Sequence, residues 1–163
     1  MEEKYLEEIN NKLQGSVLRT NIYVGELTLD VAAENVLQVC QVLKDEFGFN
    51  YFSDLGTVDH FEDEMRFEVF YNLFNLELNR RIRVRVRLPE ENPEVESVTR
   101  IWPAADWHER EAWDMMGIKF RNHPDLRRMF MPEDFEYFPH RKEFPLIGIP
   151  GSLSLPEKDD TQL

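Results

Sequence analysis

The chain has 163 residues, of which 42% are hydrophobic and 31% are charged, and its formal net charge is −13. This length predicts one domain, and the hydrophobic fraction is enough for a buried core. A surface this acidic repels phosphate backbones and anionic lipid, which disfavours nucleic-acid or membrane-surface binding. The single cysteine excludes an intramolecular disulfide, and no apolar run is long enough to span a membrane. We therefore expect a soluble protein of cytosolic type.

The first third of the chain has the pattern helix, strand, helix. Residues 2–14 and the stretch after Asp30 repeat apolar side chains at helical spacing, whereas residues 21–27 are typical of a strand. Asp30 is predicted to cap the second helix, and Gly48 to follow its end. We expect Cys40 to be a small buried side chain rather than a nucleophile. The predicted apolar faces are Leu6, Ile9 and Leu13 in the first helix, and Val36, Leu37, Cys40, Leu43 and Phe47 in the second.

Strands dominate the middle of the chain. Residues 51–58, 66–72, 81–88 and 98–102 each have the composition of a strand. The second and third of these are close enough in sequence to pair antiparallel. With the helices covering one face, the strands predict an α+β fold, a two-layer sandwich in which helices pack on a mixed, mostly antiparallel sheet.

One predicted strand carries a row of like charges. Between residues 81 and 88, aliphatic side chains alternate with arginine, so four arginines share one face. We expect Glu68 and other acidic side chains of neighbouring elements to neutralise this row. Alternatively, a protein partner covers it or RNA binds it, although the acidic whole and the lack of interleaved aromatic rings disfavour RNA. The four residues are Arg81, Arg83, Arg85 and Arg87.

The segment 106–146 packs charge, aromatic rings and proline at a density that folding alone seldom requires. Asp106 and Glu109 have the spacing of a capping box, in which each side chain bonds the backbone N–H of the other. This pattern predicts a helix over 107–116 that stops at Gly117.

Two interpretations of the charges in this helix compete. In the structural one, Arg110 and Asp114 lie one turn apart and form an ion pair, while the ring N–H of His123 ties down a loop. In the catalytic one, a stand-alone acid–base or metal-dependent enzyme uses Glu109, Glu111 and His123. No HExxH-type motif or nucleophile accompanies these residues, which favours the structural interpretation.

Residues 118–150 predict an extended C-terminal arm, after an α+β domain at 1–117 and before a mobile tail at 151–163. Proline blocks regular structure in the arm, so we expect it to have few hydrogen bonds of its own. Its aromatic and arginine content is typical of a protein interface. We expect no cofactor or metal in this chain, since it has one cysteine and no nucleotide fingerprint. The prolines are Pro124, Pro132, Pro139, Pro145 and Pro150.

The chain resembles the C-type subunit of proton-pumping NADH–quinone oxidoreductase, respiratory complex I, over most of residues 30–147. The matching positions are Glu109-Arg110-Glu111, Asp114, Met115-Met116, Gly117, Ile118, Phe120, and His123 to Arg128, together with Val58-Asp59, Arg66 to Tyr71, Ser97 to Thr99 and Trp102-Pro103. The chain departs from the family pattern at Asp106, Phe130, His140 and Glu143. So many fixed positions make the resemblance specific.

The resemblance implies a subunit without chemistry of its own, peripheral on the cytoplasmic side of the cell membrane. It would pack beside subunits D and B, which build the quinone cavity, while FMN and iron–sulfur clusters lie in other subunits. Related membrane-bound hydrogenases and coenzyme-F420 dehydrogenases use similar subunits, so they stay alternatives. The residues that the resemblance assigns to loop bracing and to the interface are Glu109, Arg110, Glu111, Asp114, His123, Pro124, Asp125, Arg127, Arg128, Arg141 and Lys142.

Overall fold

The computed structural model of the protein describes residues 2–13 and 15–148. The helices in these ranges are α1 (Glu2–Lys12), α2 (Val36–Asp45) and α3 (Ala105–Met116), with a short 3₁₀ turn at Ala33–Asn35. The strands are β1 (Val17–Tyr23), β2 (Glu26–Val31), β3 (Tyr51–Asp59), β4 (Phe67–Asn75), β5 (Arg80–Leu88), β6 (Glu94–Glu96) and β7 (Lys119–Arg121). None of these helices has the length and apolar character needed to cross a membrane. The predicted tail at 151–163 lies outside the described residues, as do Pro150 and the side chain of Leu6.

Five strands form the central sheet in the order β1-β2-β5-β4-β3. β2 and β5 run parallel, and the other neighbouring pairs in this sheet are antiparallel. β4 and β5 pair along their whole length, from Phe67 opposite Leu88 to Asn75 opposite Arg80. The predicted α+β class with a mixed, mostly antiparallel sheet is therefore confirmed.

The core lies between one face of this sheet and the helices. Alternate residues of β2, β4 and β5 point to this face, as the two-residue period of a strand requires. Fully burying one such aliphatic or aromatic side chain contributes about 1.5–3 kcal/mol. Cys40, on α2, is completely buried as predicted, and burial raises the pKa of its thiol. The buried hydrophobic residues of this sheet are Leu27, Leu29, Val31, Phe52, Leu55, Phe67, Val69, Tyr71, Leu73, Ile82, Val84, Val86 and Leu88.

The predicted strand at 21–27 is wrong, because a turn interrupts it. Val24 and Gly25 have positive φ angles of 50° and 78°, and they connect β1 to β2 as a hairpin. Asp30 consequently lies in β2 rather than at a helix cap. There it accepts two hydrogen bonds from Arg85, at 2.6 and 2.9 Å.

The predicted strand at 98–102 is also wrong. The backbone folds into a turn there, in which the N–H groups of Ile101 and Trp102 both donate to the carbonyl of Val98. The strand lies just before this turn, at β6, and pairs in parallel with β7. This pairing brings the start of the predicted arm onto the body of the domain.

The start of α3 corrects the predicted capping box. Ala104 occupies the cap position, no side chain caps the helix, and Asp106 lies in its first turn. Glu109 accepts a hydrogen bond from the N–H of Val98 at 2.8 Å instead of reaching back to Asp106. The predicted end of the helix is confirmed, because Gly117 has the left-handed conformation, with φ of 79°.

The expected neutralisation of the arginine row occurs at one end of β5. Arg87 donates to Asp63 at 2.6 Å and lies 3.5 Å from Glu68, which is the neighbour predicted for it. Arg85 forms its two-bonded pair with Asp30. Both arginines therefore have carboxylate partners on adjacent elements of the same chain.

Candidate partner-binding site

The carboxylate of Asp114 is the centre of the charged segment. Its side chain is fully buried near the end of α3. Oδ2 accepts hydrogen bonds from three consecutive backbone N–H groups, those of Met129, Phe130 and Met131, at 3.0, 2.7 and 3.0 Å. Oδ1 accepts one from Arg128 at 2.7 Å. Burial alone would raise the pKa of Asp114, but these donors outweigh it and the pKa falls below its ordinary value.

Arg128 joins α3 to the C-terminal arm. Besides Asp114, its guanidinium donates to the carbonyl of Phe135 and lies 5.4 Å from the ring centre of Phe138. A planar group with five donors can serve these partners at once. The predicted ion pair between Arg110 and Asp114 is therefore wrong, because Arg128 takes the carboxylate.

Arg110 also contacts the loop that contains Arg127 and Arg128. It donates to the carbonyls of Arg127 and Arg128, at 3.3 and 3.5 Å, and its guanidinium lies 4.9 Å from the ring centre of Trp107. These contacts support Trp107 but leave it 61% exposed, and Phe130 is 58% exposed. Trp107, Arg127 and Phe130 are hereafter called the α3 surface.

Glu109, on the same helix, is completely buried. Burial raises its pKa to about 7, against hydrogen bonds from Ser97 and the N–H of Val98, and the nearby carboxylate of Asp106 raises it further. Its Oε2 atom has no direct hydrogen-bond partner among the described residues. Oε1 of Glu109 therefore accepts the hydrogen bond from Val98, while Oε2 lies 3.9 Å from Nε2 of His123, beyond hydrogen-bond distance. The other titratable groups around it are His123, Tyr71 and Cys40.

His123 ties down its loop, as predicted, and its ring is fully buried. Its Nδ1 accepts a hydrogen bond from the N–H of Asp125 at 3.0 Å, so in the neutral ring the proton is on Nε2. Nε2 donates to the carbonyl of Asp106 at 3.3 Å. Pro124 and Asp125 are exposed on this loop, and Asp125 pairs with Arg127 at 2.9 Å.

Arg141 and Lys142 have different environments. Nε of Arg141 donates to the carbonyl of Met116 at 2.8 Å, and its guanidinium lies 4.9 and 4.5 Å from two phenylalanine ring centres. Lys142 is exposed, but its backbone N–H donates to Asp59 at 2.8 Å. Arg141 therefore holds the arm to its own domain, and only Lys142 presents its charge to solvent.

Sequence reasoning gave no role to Asp59 and Arg66, which anchor the arm. Arg66 makes two 2.8 Å bonds to Asp59 and also bonds Glu90 and Glu143. The guanidinium holds the pKa of Asp59 well below its ordinary value. The sequence did contain a signal for this pair. Arg66 directly precedes the apolar strand β4, and Asp59 is the last residue of the preceding strand, β3. Asp59, Arg66 and Asp114 lie outside the arm and bond it to the domain, whereas the expectation that the arm has few hydrogen bonds of its own stays a prediction.

The structure separates the residues of the catalytic interpretation. Glu109 and His123 are 3.9 Å apart, but both side chains are fully buried and closed to a substrate. Glu111 is exposed and lines a shallow cavity of about 230 Å³ with His108 and His140. In the part of the chain that the structure describes, no three His, Cys, Asp or Glu side chains are placed to hold a metal ion.

The fold is that of an α+β domain. The charged residues of the segment 106–146 bond mainly within their own chain, and Trp107 and Phe130 are exposed beside them. The chain belongs to the family of the 30 kDa subunit of respiratory-chain NADH dehydrogenase, whose model matches residues 29–149. The resemblance to the C-type subunit of the NADH–quinone oxidoreductase complex is thereby confirmed.

Curated relatives agree with this assignment, and each is a C-type subunit of NADH-quinone oxidoreductase. That of Rhizobium meliloti, numbered 2 in its organism, is 42% identical over 152 residues, which cover 92% of this chain and 83% of that protein. The one of Rhizobium etli, also numbered 2, is 48% identical over 76% of this chain and 67% of its own length. The one of Geobacter metallireducens is 39% identical over 88% of this chain and 89% of its own length.

Two solved structures share the fold. A trypsin-resistant fragment of Nqo5 is 31% identical, with a TM-score of 0.65, and the match covers 77% of this chain and all of the fragment. A chain of the membrane-bound sulfane sulfur reductase, an archaeal respiratory membrane complex, is 25% identical with a TM-score of 0.78. That match covers 89% of this chain and 86% of the other.

Proposed function

We propose that this chain is a non-catalytic, peripheral-arm subunit of a proton-translocating NADH–quinone oxidoreductase. In this role it braces the quinone-binding module built by subunits D and B, and so supports electron transfer from NADH to quinone. The chain carries no cofactor of its own and lies on the cytoplasmic side of the cell membrane. Family membership and the curated relatives support this proposal.

The observation that carries the bracing role is the bonding of Asp114. One buried carboxylate fixes three consecutive backbone N–H groups, so the loop that bears Phe130 is rigid. Trp107 is supported by the guanidinium of Arg110, which lies 4.9 Å from its ring centre. Exposed aromatic and arginine side chains on a rigid support are the residues that most often dominate binding energy at interfaces. We assign the α3 surface to the contact with the D-type subunit.

A second candidate is the equivalent subunit of a related membrane complex with a different electron donor. The match to a chain of the archaeal sulfane sulfur reductase favours it, since the fold there is shared over most of both chains. The bracing role is the same in both cases, and only the donor and the acceptor differ.

The test is to isolate a tagged copy of the chain from detergent-solubilised membranes of its host and identify the polypeptides that accompany it. We expect subunits D and B, with NADH–quinone reductase activity in the same fraction. Recovery with a hydrogenase or sulfur reductase would favour the second candidate. Recovery of the chain alone, with enzymatic activity of its own, would contradict both.

A further inference from the structure

The sheet face opposite the helices carries Arg81 and Arg83, the end of the arginine row with fewer carboxylate partners. Arg81 lies 3.7 Å from Glu26, with both side chains more than half exposed. Arg83 donates to the amide oxygen of Asn72 at 3.0 Å and, among the described residues, has no carboxylate within ion-pair distance. Arg83 can therefore bind an acidic group from outside, and Arg81 can do so alongside its long, largely exposed contact with Glu26, in a chain whose net charge is −13.

Aromatic rings support these two arginines. The guanidinium of Arg83 lies 5.2 Å from the ring centre of Phe70, and that of Arg81 lies 5.7 Å from the ring centre of Phe74. Phe70 lies directly over Gly56 on β3, where a Cβ atom would meet the ring at 2.2 Å. The glycine lets the ring lie flat on the sheet. The result is a layer of aromatic rings and arginine, the composition of interface hot spots.

The same sheet face ends in a groove beside Arg85 and Arg87. The groove has a volume of about 740 Å³. Leu18, in β1, is 73% exposed and Met65 is 42% exposed on its walls. The arginines at this end are already paired with Asp30 and Asp63, so its charge is largely neutralised. Its apolar lining residues are Leu18, Val31, Ala32, Ala33, Met65, Leu88 and Pro89.

We propose that this sheet face is a second docking surface, separate from the α3 surface, and that its occupant is an extended acidic segment of a partner polypeptide. Carboxylates of the segment bind Arg81 and Arg83, and a bulky apolar side chain enters the groove. Strand residues rise about 3.3 Å each, so the distance along β5 from Arg81 to Arg87 is about 20 Å. An extended segment of about six or seven residues spans it.

Charge complementarity selects a polypeptide over a nucleic acid. Asp30, Asp63 and Glu68 flank the paired end of the row, and the groove is also lined by Glu34 and Glu94. A continuous polyanion such as RNA or DNA would be repelled by these carboxylates and by the overall negative charge of the chain. A segment with a few carboxylates at one end and an apolar side chain at the other avoids both.

The test uses the full chain in the assembly that it forms in membranes. The Arg83→Lys variant keeps the positive charge and adds an amine, which a carbodiimide couples to a carboxylate in direct contact. We expect a new amide cross-link from position 83 to an aspartate or glutamate of a neighbouring polypeptide, in a segment with a bulky apolar residue about four to six positions away. The wild-type assembly, which has no amine at position 83, is the matched control.

A second pair of variants tests the charge. Arg81→Glu with Arg83→Glu should lower recovery of the cross-linked partner roughly tenfold, whereas Arg81→Lys with Arg83→Lys should retain it. The unfolding midpoint of the isolated chain should be unchanged in both, since these side chains are exposed. No cross-link from position 83, a cross-link only within this chain, or equal recovery with both double variants would overturn the proposal. So would arginine-dependent binding of a fluorescein-labelled RNA oligonucleotide.

Discussion

Replacing Asp114 by asparagine tests the bonding that makes the arm part of the domain. The change preserves shape but removes the charge, and the amide has one acceptor oxygen where the carboxylate has two. That oxygen can accept either from the three backbone N–H groups or from Arg128, so one set of donors then faces an NH₂ group. Removing one partner of a buried ion pair costs about 3–5 kcal/mol. This is a large fraction of the roughly 5–15 kcal/mol by which a domain is stable.

For a chain of this length each kcal/mol shifts the unfolding midpoint by about 2–4 °C, so we expect Asp114→Asn to lower it by roughly 6–20 °C. Thermal unfolding followed by circular dichroism measures this shift. Asp125→Asn is the matched control, because its pair with Arg127 is more than half exposed on both sides and contributes under about 1 kcal/mol. Similar midpoints for the two variants would refute the reasoning, since Asp114 would then not hold the loop.

Two further predictions concern Glu109 and Gly117. A folded-state pKa of about 7 for Glu109 means that its protonated form stabilises the fold at low pH, and that this stability is lost as pH rises from about 4.5 through about 7. In urea titrations wild type should therefore lose about 3 kcal/mol of unfolding free energy over this pH window relative to Glu109→Gln. If the unfolding free energies of the two proteins change in parallel with pH, the pKa of Glu109 is not raised. Gly117→Ala should destabilise the chain by more than Gly25→Ala. Both sites have positive φ, but a Cβ at 117 would also meet Arg141 at 2.7 Å and Phe138 at 2.8 Å, whereas nothing lies within 4 Å at 25. Equal midpoints for the two alanine variants would mean that the arm does not pack on Gly117.

Local patterns predicted the elements whose side chains alternate cleanly. In β5 arginine and aliphatic residues alternate from Arg81 to Leu88, so the sequence alone predicts the strand, its buried face and its charged face. In β1 and β2 the same reasoning failed, because Val24 is apolar and occupies a turn. Gly25 is the signal that the strand breaks there, but the apolar residues on both sides of it favour a continuous strand.

The site depends on contacts that no local pattern contains. Asp114 meets Arg128 fourteen residues along the chain, and Arg66 meets Glu143 across 77 residues. Asp106 and Glu109 have the spacing of a cap, yet Glu109 bonds Val98, because the turn before α3 brings that N–H to it. The family resemblance pointed to Asp114 and Arg128 without naming their partners, because those partners follow only from the fold.

The proposed binding of a D-type subunit by the α3 surface is tested most directly by a double substitution. Trp107→Ala with Phe130→Ala removes two side chains that are 61% and 58% exposed. We expect recovery of the D-type subunit with the tagged chain to fall at least tenfold, as for loss of an interface hot spot, with the unfolding midpoint of the isolated chain unchanged. Leu76→Ala with Leu78→Ala, at exposed positions in the turn between β4 and β5, is the control and should leave recovery intact. Full recovery of the D-type subunit with the Trp107 and Phe130 variant would contradict the assignment of this surface.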